Sequence, residues 1–255
     1  MRTVAITGAG SGIGRAIAEA FVETGDKVFI SDILEDSVHQ LADELGSSAS
    51  ASRVDVSQYE QVAAFLRGAH AETGRLDVVV NAAGVFDGYA GVLETSEDLW
   101  RRVLEINLNG TFFGSKVAAE LMTEQGSGRI ISIGSVASLR GAADGIAYTA
   151  AKHGMLGLTR RLAVDVGRYG VTANLICPGV IPTALRATSA QVLGDISPDQ
   201  QQGVGVSEDL QNFLIPARRK GKPSEVAAVA VFLASEGAAY VNGEAIAVDG
   251  GWLAT

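Results

Sequence analysis

Three residues in the middle of the chain have the types and spacing of a proton-transfer device. Tyr148 and Lys152 are four positions apart, so on a helix they lie on the same face. A phenol has an ordinary pKa of about 10, and a neighbouring ammonium favours its ionised form and lowers that pKa. Ser135 ends the preceding apolar stretch and can share a substrate oxygen with Tyr148. The three side chains suit the reversible reduction of a carbonyl group.

A glycine-rich turn near the amino terminus is the second group of interest. A second group is needed as evidence, because a Tyr–Lys pair by itself is also typical of an exposed helix surface. The turn Thr7–Gly14 follows the apolar run Val4–Ile6 and precedes a segment of helical periodicity. Strand, glycine turn and helix, in this order, are the context of a dinucleotide-binding turn. Glycines let the backbone approach a pyrophosphate, and the helix N-terminus attracts it.

Together the two groups resemble the short-chain dehydrogenase/reductase family, in its branch of chains of about this length. The resemblance covers nearly the whole chain. The turn matches the family pattern T-G-x-x-x-G-x-G, and Ser135 precedes Tyr148 by the family's spacing of thirteen residues. Asn107, in the segment Asn107–Gly110, matches the family's catalytic Asn. The catalytic residues that the resemblance implies are Asn107, Ser135, Tyr148 and Lys152.

The resemblance also implies where a nucleotide cofactor binds. Asp55 matches the acidic residue that meets adenine, the segment 81–84 resembles the family's N-N-A-G, and the segment 178–183 resembles the stretch that packs on nicotinamide. Ala82 departs from the family, which usually has a second Asn there that ties neighbouring strands together. The implied cofactor-binding residues are Gly8, Ser11, Gly12, Ile13, Gly14, Asp32, Ile33, Asp55, Val56, Asn81, Ala82, Ala83, Gly84, Asn107, Tyr148, Lys152, Pro178, Gly179, Ile181 and Thr183.

Asp32 indicates which nicotinamide cofactor is used. It ends the second apolar run, 18 residues after Gly14, near the distance expected for the acid that binds the adenosine ribose hydroxyls. A carboxylate there accepts both hydroxyl hydrogens and repels a 2′-phosphate. Relatives that prefer NADP usually have a basic residue at the position of Ser11 or of Ile33, and neither is basic here. Asp32 could also be a simple turn residue, but its place at the strand end favours NAD.

The elements that must position these residues alternate along the chain. Short apolar, β-branched runs are separated by longer segments of helical periodicity, which predicts parallel strands with helices on both faces. We therefore expect an α/β, Rossmann-like doubly wound sheet of about seven strands, in a single domain over residues 1–255. The strand ends would bring the candidate residues to one edge. The predicted strands are 3–7, 27–31, 51–54, 76–81, 129–134, 172–177 and 245–248; helical periodicity covers 12–24, 35–45, 58–73, 96–125, 148–168 and 223–235.

The segment 184–217 is the exception to this alternation, because it lacks clean periodicity. A long irregular segment in a compact domain is often a functional lid, and the family resemblance places a substrate-covering loop here. A surface excursion with short helices would look the same in sequence. Candidate pocket residues suggest a mostly apolar substrate; besides the lid they are Phe86, Tyr89, Ser138, Leu139 and Leu185.

Composition narrows the classes of partner. The chain is 47% hydrophobic with a formal net charge of −9, which argues against nucleic acid or an anionic membrane as partner. Apolar stretches fall short of the roughly 18 residues of a membrane helix, and the first strand leaves no room for a signal peptide. A single cysteine, Cys177, fits a reducing cytoplasm, and the three scattered histidines predict no metal site.

These observations predict an NAD-dependent oxidoreductase that interconverts a mostly apolar secondary alcohol and its ketone. A cytoplasmic homotetramer is expected from the resemblance, because most members assemble that way. Two alternatives stay open. One is a 3-oxoacyl-thioester reductase, against which Asp32 speaks because those relatives usually use NADP. The other is a sensor or scaffold that binds NAD without turnover, against which the intact catalytic set speaks.

Overall fold

Seven parallel strands form one sheet in the order β3-β2-β1-β4-β5-β6-β7 in the computed structural model, which describes residues 1–141, 144–200, 213 and 215–254. This arrangement confirms the predicted α/β doubly wound class. The strands are β1 Thr3–Thr7, β2 Lys27–Asp32, β3 Ala49–Arg53, β4 Val78–Asn81, β5 Gly128–Ile133, β6 Val171–Pro178 and β7 Ala245–Val248.

Helices cover both faces of the sheet. They are α1 Gly12–Glu23, α2 Glu35–Leu45, α3 Tyr59–Thr73, α4 Glu97–Leu104, α5 Gly110–Gln125, α6 Ile146–Val166, α7 Leu185–Leu193 and, here numbered α8, Pro223–Leu233. Within the described part of the chain, no helix combines the length and the apolar character needed to cross a membrane.

Alternating side chains of the central strands supply the core on both sides of the sheet. In β4, Val79 packs into the cluster with Leu66 and Met122, whereas its neighbours in the strand pack into the cluster with Phe21 and Leu41. All of these side chains are buried. Continuous apolar runs are expected for strands that are buried on both faces, because neither side of the pleat meets water.

The sheet has its topological switch point at β1, which pairs with β2 on one side and with β4 on the other. Chain connections therefore leave β1 and β4 in opposite directions, which opens a crevice beyond their carboxyl ends. Ligands of open α/β sheets bind in that crevice. The predicted site residues follow or end these strands, so the topology brings them to one edge.

Two segments differ from the predicted elements. The helical stretch 96–125 is divided by a π-helical turn, Glu105–Asn109, whose wide turn directs Asn107 into the interior. The irregular segment 184–217 contains the helix α7, which ends at Gly194 with φ of 55°. Residues 201–212 and 214 of the predicted lid lie outside the described residues.

Candidate active site

A single cavity at the carboxyl edge of the sheet is lined by almost all of the predicted site residues. Its walls come from the turn after β1, the ends of the central strands, α6 and α7. The predicted residues on its lining are Gly8, Ser11, Gly12, Ile13, Gly14, Asp32, Ile33, Asp55, Val56, Ala82, Ala83, Gly84, Ser135, Tyr148, Lys152, Pro178, Gly179, Ile181 and Thr183. Asn81 and Asn107 are the exceptions, since both lie behind the lining.

The turn between β1 and α1 requires its glycines. Gly8 and Gly12 have φ of 70° and 56°, in the left-handed region that glycine tolerates best. A Cβ on Gly14 would lie 2.1 Å from the carbonyl oxygen of Gly8, so a side chain there would force the turn apart. Helix α1 begins without a side-chain cap. Its first N–H groups and this close-packed turn form a cradle that fits a pyrophosphate.

Asp32 lies beside this cradle at the end of β2. Its Oδ2 accepts a hydrogen bond from the N–H of Gly10 at 2.9 Å, and its Oδ1 accepts one from the N–H of Leu34 at 3.0 Å. The carboxylate is thereby fixed against the turn. Arg15, the first basic residue after the turn, is held elsewhere by ion pairs with two glutamates of α1 and α2. Among the described lining residues around Asp32, none is basic.

Asp55 and Val56 form the next part of the wall, after β3. The Asp55 carboxylate accepts hydrogen bonds from the backbone N–H and the hydroxyl of Ser57 at 2.9 and 2.7 Å. Burial raises the pKa of Asp55, but the hydrogen bonds from Ser57 and the charge of Arg102 lower it more, and the net pKa lies below the usual value. Val56 packs close to Gly110, since a Cβ added at Gly110 would lie 2.9 Å from Cγ2 of Val56.

The two asparagines behind the lining support it. The amide of Asn81 donates to the hydroxyls of Ser115 and Ser132 at 3.2 and 3.4 Å, which joins β4 to its neighbours. The amide of Asn107 accepts from the N–H of Val85 at 2.9 Å and donates to the carbonyl of the same residue at 2.8 Å. The Asn107 side chain therefore fixes the loop after β4, and the catalytic role that the family resemblance implies for it stays a prediction.

Tyr148, Lys152 and Ser135 meet where α6 passes the end of β5. The Lys152 ammonium lies 5.3 Å from the centre of the Tyr148 ring and donates to the carbonyl of Ile133 at 2.7 Å. Burial raises the pKa of the phenol, and the nearby Ser135 hydroxyl lowers it by less. The Ser135 oxygen accepts from the N–H of Ala137 at 3.1 Å. The predicted juxtaposition of the three side chains is present.

The pKa of Tyr148 is raised, whereas the sequence predicted that Lys152 would lower it. Burial raises the pKa of the phenol, and the negative charge of Asp144 raises it further. Burial also lowers the pKa of Lys152 to about 8, because a buried ammonium loses its hydration. The sequence revealed the Tyr–Lys spacing but not the depth at which both groups are buried. The raised pKa favours the protonated phenol, which is the form that a proton donor needs.

Several lining residues were absent from the predicted set. Gly10, Leu34 and Ser37 complete the wall around Asp32, and all three are close in sequence to residues that were predicted. In α7, Leu185 lines the cavity as expected, and Thr188 and Val192 join it from the same helix face. Their spacing of three and four residues was the available signal. The other candidate pocket residues, Phe86, Tyr89, Ser138 and Leu139, are not on the lining.

This arrangement can exchange one proton with an oxygen atom bound near Tyr148. The phenol holds the proton, the Ser135 hydroxyl can share the same oxygen, and Lys152 places a cation beside the ring. The turn, Asp32 and Asp55 offer contacts for a pyrophosphate, a ribose diol and an adenine. The residues therefore fit an extended dinucleotide whose reactive end lies against the proton donor.

Known proteins resemble this chain over its length. A family model described as enoyl-(acyl carrier protein) reductase matches residues 8–253. The 3beta-hydroxysteroid dehydrogenase 2 of Eggerthella lenta is 34% identical over 257 residues, covering 99% of this chain and 95% of that protein. The 3-oxoacyl-(acyl-carrier-protein) reductase of Salmonella typhimurium is 35% identical over 246 residues, with coverages of 96% and 95%. The crystal structure of levodione reductase matches with a TM-score of 0.88 at 33% identity, covering all of this chain and 98% of that one.

Proposed function

The chain belongs to the short-chain dehydrogenase/reductase family of oxidoreductases, and on that premise we propose that it interconverts a mostly apolar secondary alcohol and its ketone with NAD as cofactor. The observation that carries this proposal is the single cavity in which the glycine turn and Asp32 face the same space as Ser135, Tyr148 and Lys152. A nucleotide site and a proton donor in one cavity fit a reaction in which hydride and proton reach the same carbonyl.

The chain's own part in the reaction is proton transfer and orientation. In reduction, the substrate carbonyl oxygen accepts hydrogen bonds from Ser135 and Tyr148, and Tyr148 then donates its phenolic proton to that oxygen. In oxidation the phenolate accepts the proton of the alcohol. When bound, the nicotinamide cofactor supplies the group that carries the hydride. Lys152 would stabilise the phenolate and hold the ribose of a bound cofactor, while Asn107 keeps the loop 85–90 in place behind both.

The preference for NAD rests on Asp32. Its carboxylate is held beside the turn by two backbone N–H groups, at the place where the adenosine ribose diol would bind. A carboxylate there favours two hydroxyls and repels a 2′-phosphate. Support also comes from the lack of a basic side chain among the described lining residues near Asp32. Arg15 is taken up by glutamates and is not oriented to bind a phosphate.

The substrate half of the cavity favours an apolar molecule. Leu185, Thr188 and Val192 of α7 face the space beside Tyr148, and Val85 closes it from the loop after β4. A secondary alcohol or ketone without a large charge suits such walls. We propose further that the chain acts as one catalytic domain with the segment 184–217 as its lid, as a homotetramer and in the cytoplasm.

A second candidate activity is reduction of a 3-oxoacyl thioester. Its support is the similarity to the Salmonella typhimurium reductase. The two proposals differ in substrate and in the expected cofactor, because a thioester reductase of this family usually uses NADP. Purified protein should be incubated with a panel of ketones and with a 3-oxoacyl thioester, each with NADH and with NADPH. Faster NADH oxidation with the ketones supports our assignment, and NADPH-dependent turnover of the thioester alone contradicts it.

A further inference from the structure

Asp87 is a buried carboxylate directly beside the catalytic helix. It follows the cofactor-facing loop after β4 and has no exposed surface. Its Oδ2 accepts a hydrogen bond from the backbone N–H of Tyr148 at 2.8 Å. Burial raises the pKa of Asp87, and the neighbouring backbone N–H groups, those of Tyr148 and Ala147 among them, lower it by less. A residue distant in sequence therefore binds the first turn of the helix that carries the proton donor.

The first turn of α6 has no cap of its own. The residue at its N-cap is Gly145, which has no side chain to accept from the free N–H groups. The N–H of Ile146 donates instead to the carbonyl of Ala90 at 2.9 Å, and the N–H of Tyr148 donates to Asp87. The loop that contains Asp87 thus accepts from two of the first three N–H groups of the helix.

The same loop is tied to the other side of the site. Asn107 hydrogen-bonds both the N–H and the carbonyl of Val85, two residues before Asp87. The N–H of Phe86 donates to the hydroxyl of Ser189 in α7 at 2.8 Å, and the Phe86 ring meets the Tyr148 ring edge to face with centroids 5.4 Å apart. The loop that carries Asp87 is therefore held by Asn107 on one side and by α7 on the other.

Backbone conformation also fixes the position of Asp87. The two residues that follow, Gly88 and Tyr89, have φ of 66° and 62°, and the N–H of Ala90 donates to the carbonyl of Asp87 at 3.2 Å. A non-glycine residue in the left-handed region is uncommon and persists where the surroundings determine it. Across from this turn, a Cβ on Gly145 would lie 2.3 Å from the nearer carboxylate oxygen of Asp87. The close approach of helix and carboxylate thus requires a glycine at 145.

From these contacts we infer that Asp87 is a positioning residue, which caps the catalytic helix from outside and holds Tyr148 and Lys152 in register with the loop that Asn107 fixes. This inference rests on the proposed function, because it gives Asp87 its purpose within that site. A misplacement of about 1 Å at a reacting group can lower turnover about 100-fold. Loss of the cap should lower kcat and leave KM nearly unchanged, since Asp87 is not on the cavity lining and does not contact the space for cofactor or substrate.

Two substitutions remove the contact from opposite sides. Asp87→Ala deletes the acceptor, and Gly145→Ala leaves the acid in place but puts a methyl group where the carboxylate now lies. Asp87→Asn keeps an oxygen that can accept from Tyr148. Gly157→Ala is the matched control on the same helix, because a Cβ at Gly157 meets nothing within 4 Å.

The measurements are kcat and KM for cofactor and ketone, together with amide hydrogen exchange of the first turn of α6. We expect Asp87→Ala and Gly145→Ala to lower kcat about 10- to 100-fold while KM for the cofactor stays within about threefold. Exchange at the Tyr148 amide should quicken about fivefold or more, as on loss of a helix cap. Asp87→Asn should restore kcat to within about threefold of wild type, and Gly157→Ala should match wild type.

Other outcomes overturn the inference. If kcat is unchanged in the two disrupting variants, or if the loss lies in the cofactor KM, Asp87 does not position the catalytic helix. If Asp87→Asn is as slow as Asp87→Ala, the charge and not the hydrogen bond matters. If Asp87→Ala fails to fold, Gly145→Ala and Asp87→Asn decide by the same criteria. Absence of turnover in wild type contradicts the proposed function instead, and the exchange rates then test the cap independently of activity.

Discussion

Removing the carboxylate of Asp32 should reverse the balance between the two nicotinamide dinucleotides. The substitution Asp32→Ala removes the acceptor for the ribose diol and also leaves the N–H groups of Gly10 and Leu34 without their partner. Adding Ile33→Arg supplies a cation at the next position, which also faces the cavity. The double variant therefore changes both the attraction for NAD and the repulsion of a 2′-phosphate.

The size of the effect follows from the kind of bond that is lost. Hydrogen bonds to a charged group contribute about 1.5–3 kcal/mol, and about 1.4 kcal/mol corresponds to a factor of ten. Asp32→Ala should therefore lower kcat/KM for NAD about 10- to 150-fold. The same change should raise kcat/KM for NADP because a repulsive charge is gone. The arginine should raise the NADP value further, by pairing with the phosphate.

The assay is kcat/KM for NAD and for NADP with one alcohol, in wild type, the single variant and the double variant. Asp36→Ala is the matched control, because it removes an exposed acid four residues away that is not on the cavity lining. It should leave the ratio of the two cofactors unchanged. A wild type that already prefers NADP, or a double variant that keeps the full NAD preference, would refute the role assigned to Asp32.

Three further predictions concern proton transfer, the turn and assembly. Because burial lowers the pKa of Lys152 to about 8, the ammonium that stabilises the Tyr148 phenolate is lost as pH rises. Ketone reduction should be level near neutral pH and fall as pH rises through about 8, and a kcat/KM profile that stays level well above that pH would contradict this. Gly14→Ala should abolish cofactor binding measured by calorimetry, since its Cβ would lie 2.1 Å from a backbone oxygen; wild-type affinity would show that the turn can move. Trp100 on α4 and Phe112 on α5 are 36% and 46% exposed, which fits burial between subunits of the proposed tetramer; light scattering should give a tetramer mass, and a monomer at micromolar concentration would refute the assembly.

Local sequence patterns were sufficient to predict the sheet and most of the cavity wall. Buried parallel strands are apolar throughout, so the run before Asn81 and the run before Ser135 could be recognised without knowing their neighbours. The positions of Gly8, Asp32 and Pro178 at strand ends then placed them at one edge, because parallel strands end on the same side. The spacing of Tyr148 and Lys152 depends only on the helical repeat, and it was predicted for the same reason.

Features that depend on tertiary contacts could not be predicted in this way. The π-helical turn at Glu105–Asn109 has no pattern of its own, and its position depends on the bonds between Asn107 and Val85. The direction of the Tyr148 pKa depends on burial, which one-dimensional spacing does not reveal. Asp87 acts across 61 residues of sequence, and no local motif marks an acid that caps a distant helix.

The central claim is that Tyr148 is the proton donor of a cofactor-dependent carbonyl reductase. Its most direct test is the Tyr148→Phe variant, which keeps the ring and its contact with Phe86 but lacks the transferable proton. Tyr169→Phe, at a half-exposed tyrosine that is not on the cavity lining, is the control. NADH binding by fluorescence and the rate of ketone reduction should be measured in both variants and in wild type. We expect Tyr148→Phe to bind NADH normally and to lose about 100- to 10,000-fold in turnover, with Tyr169→Phe unchanged. Near-normal turnover by Tyr148→Phe would contradict the account.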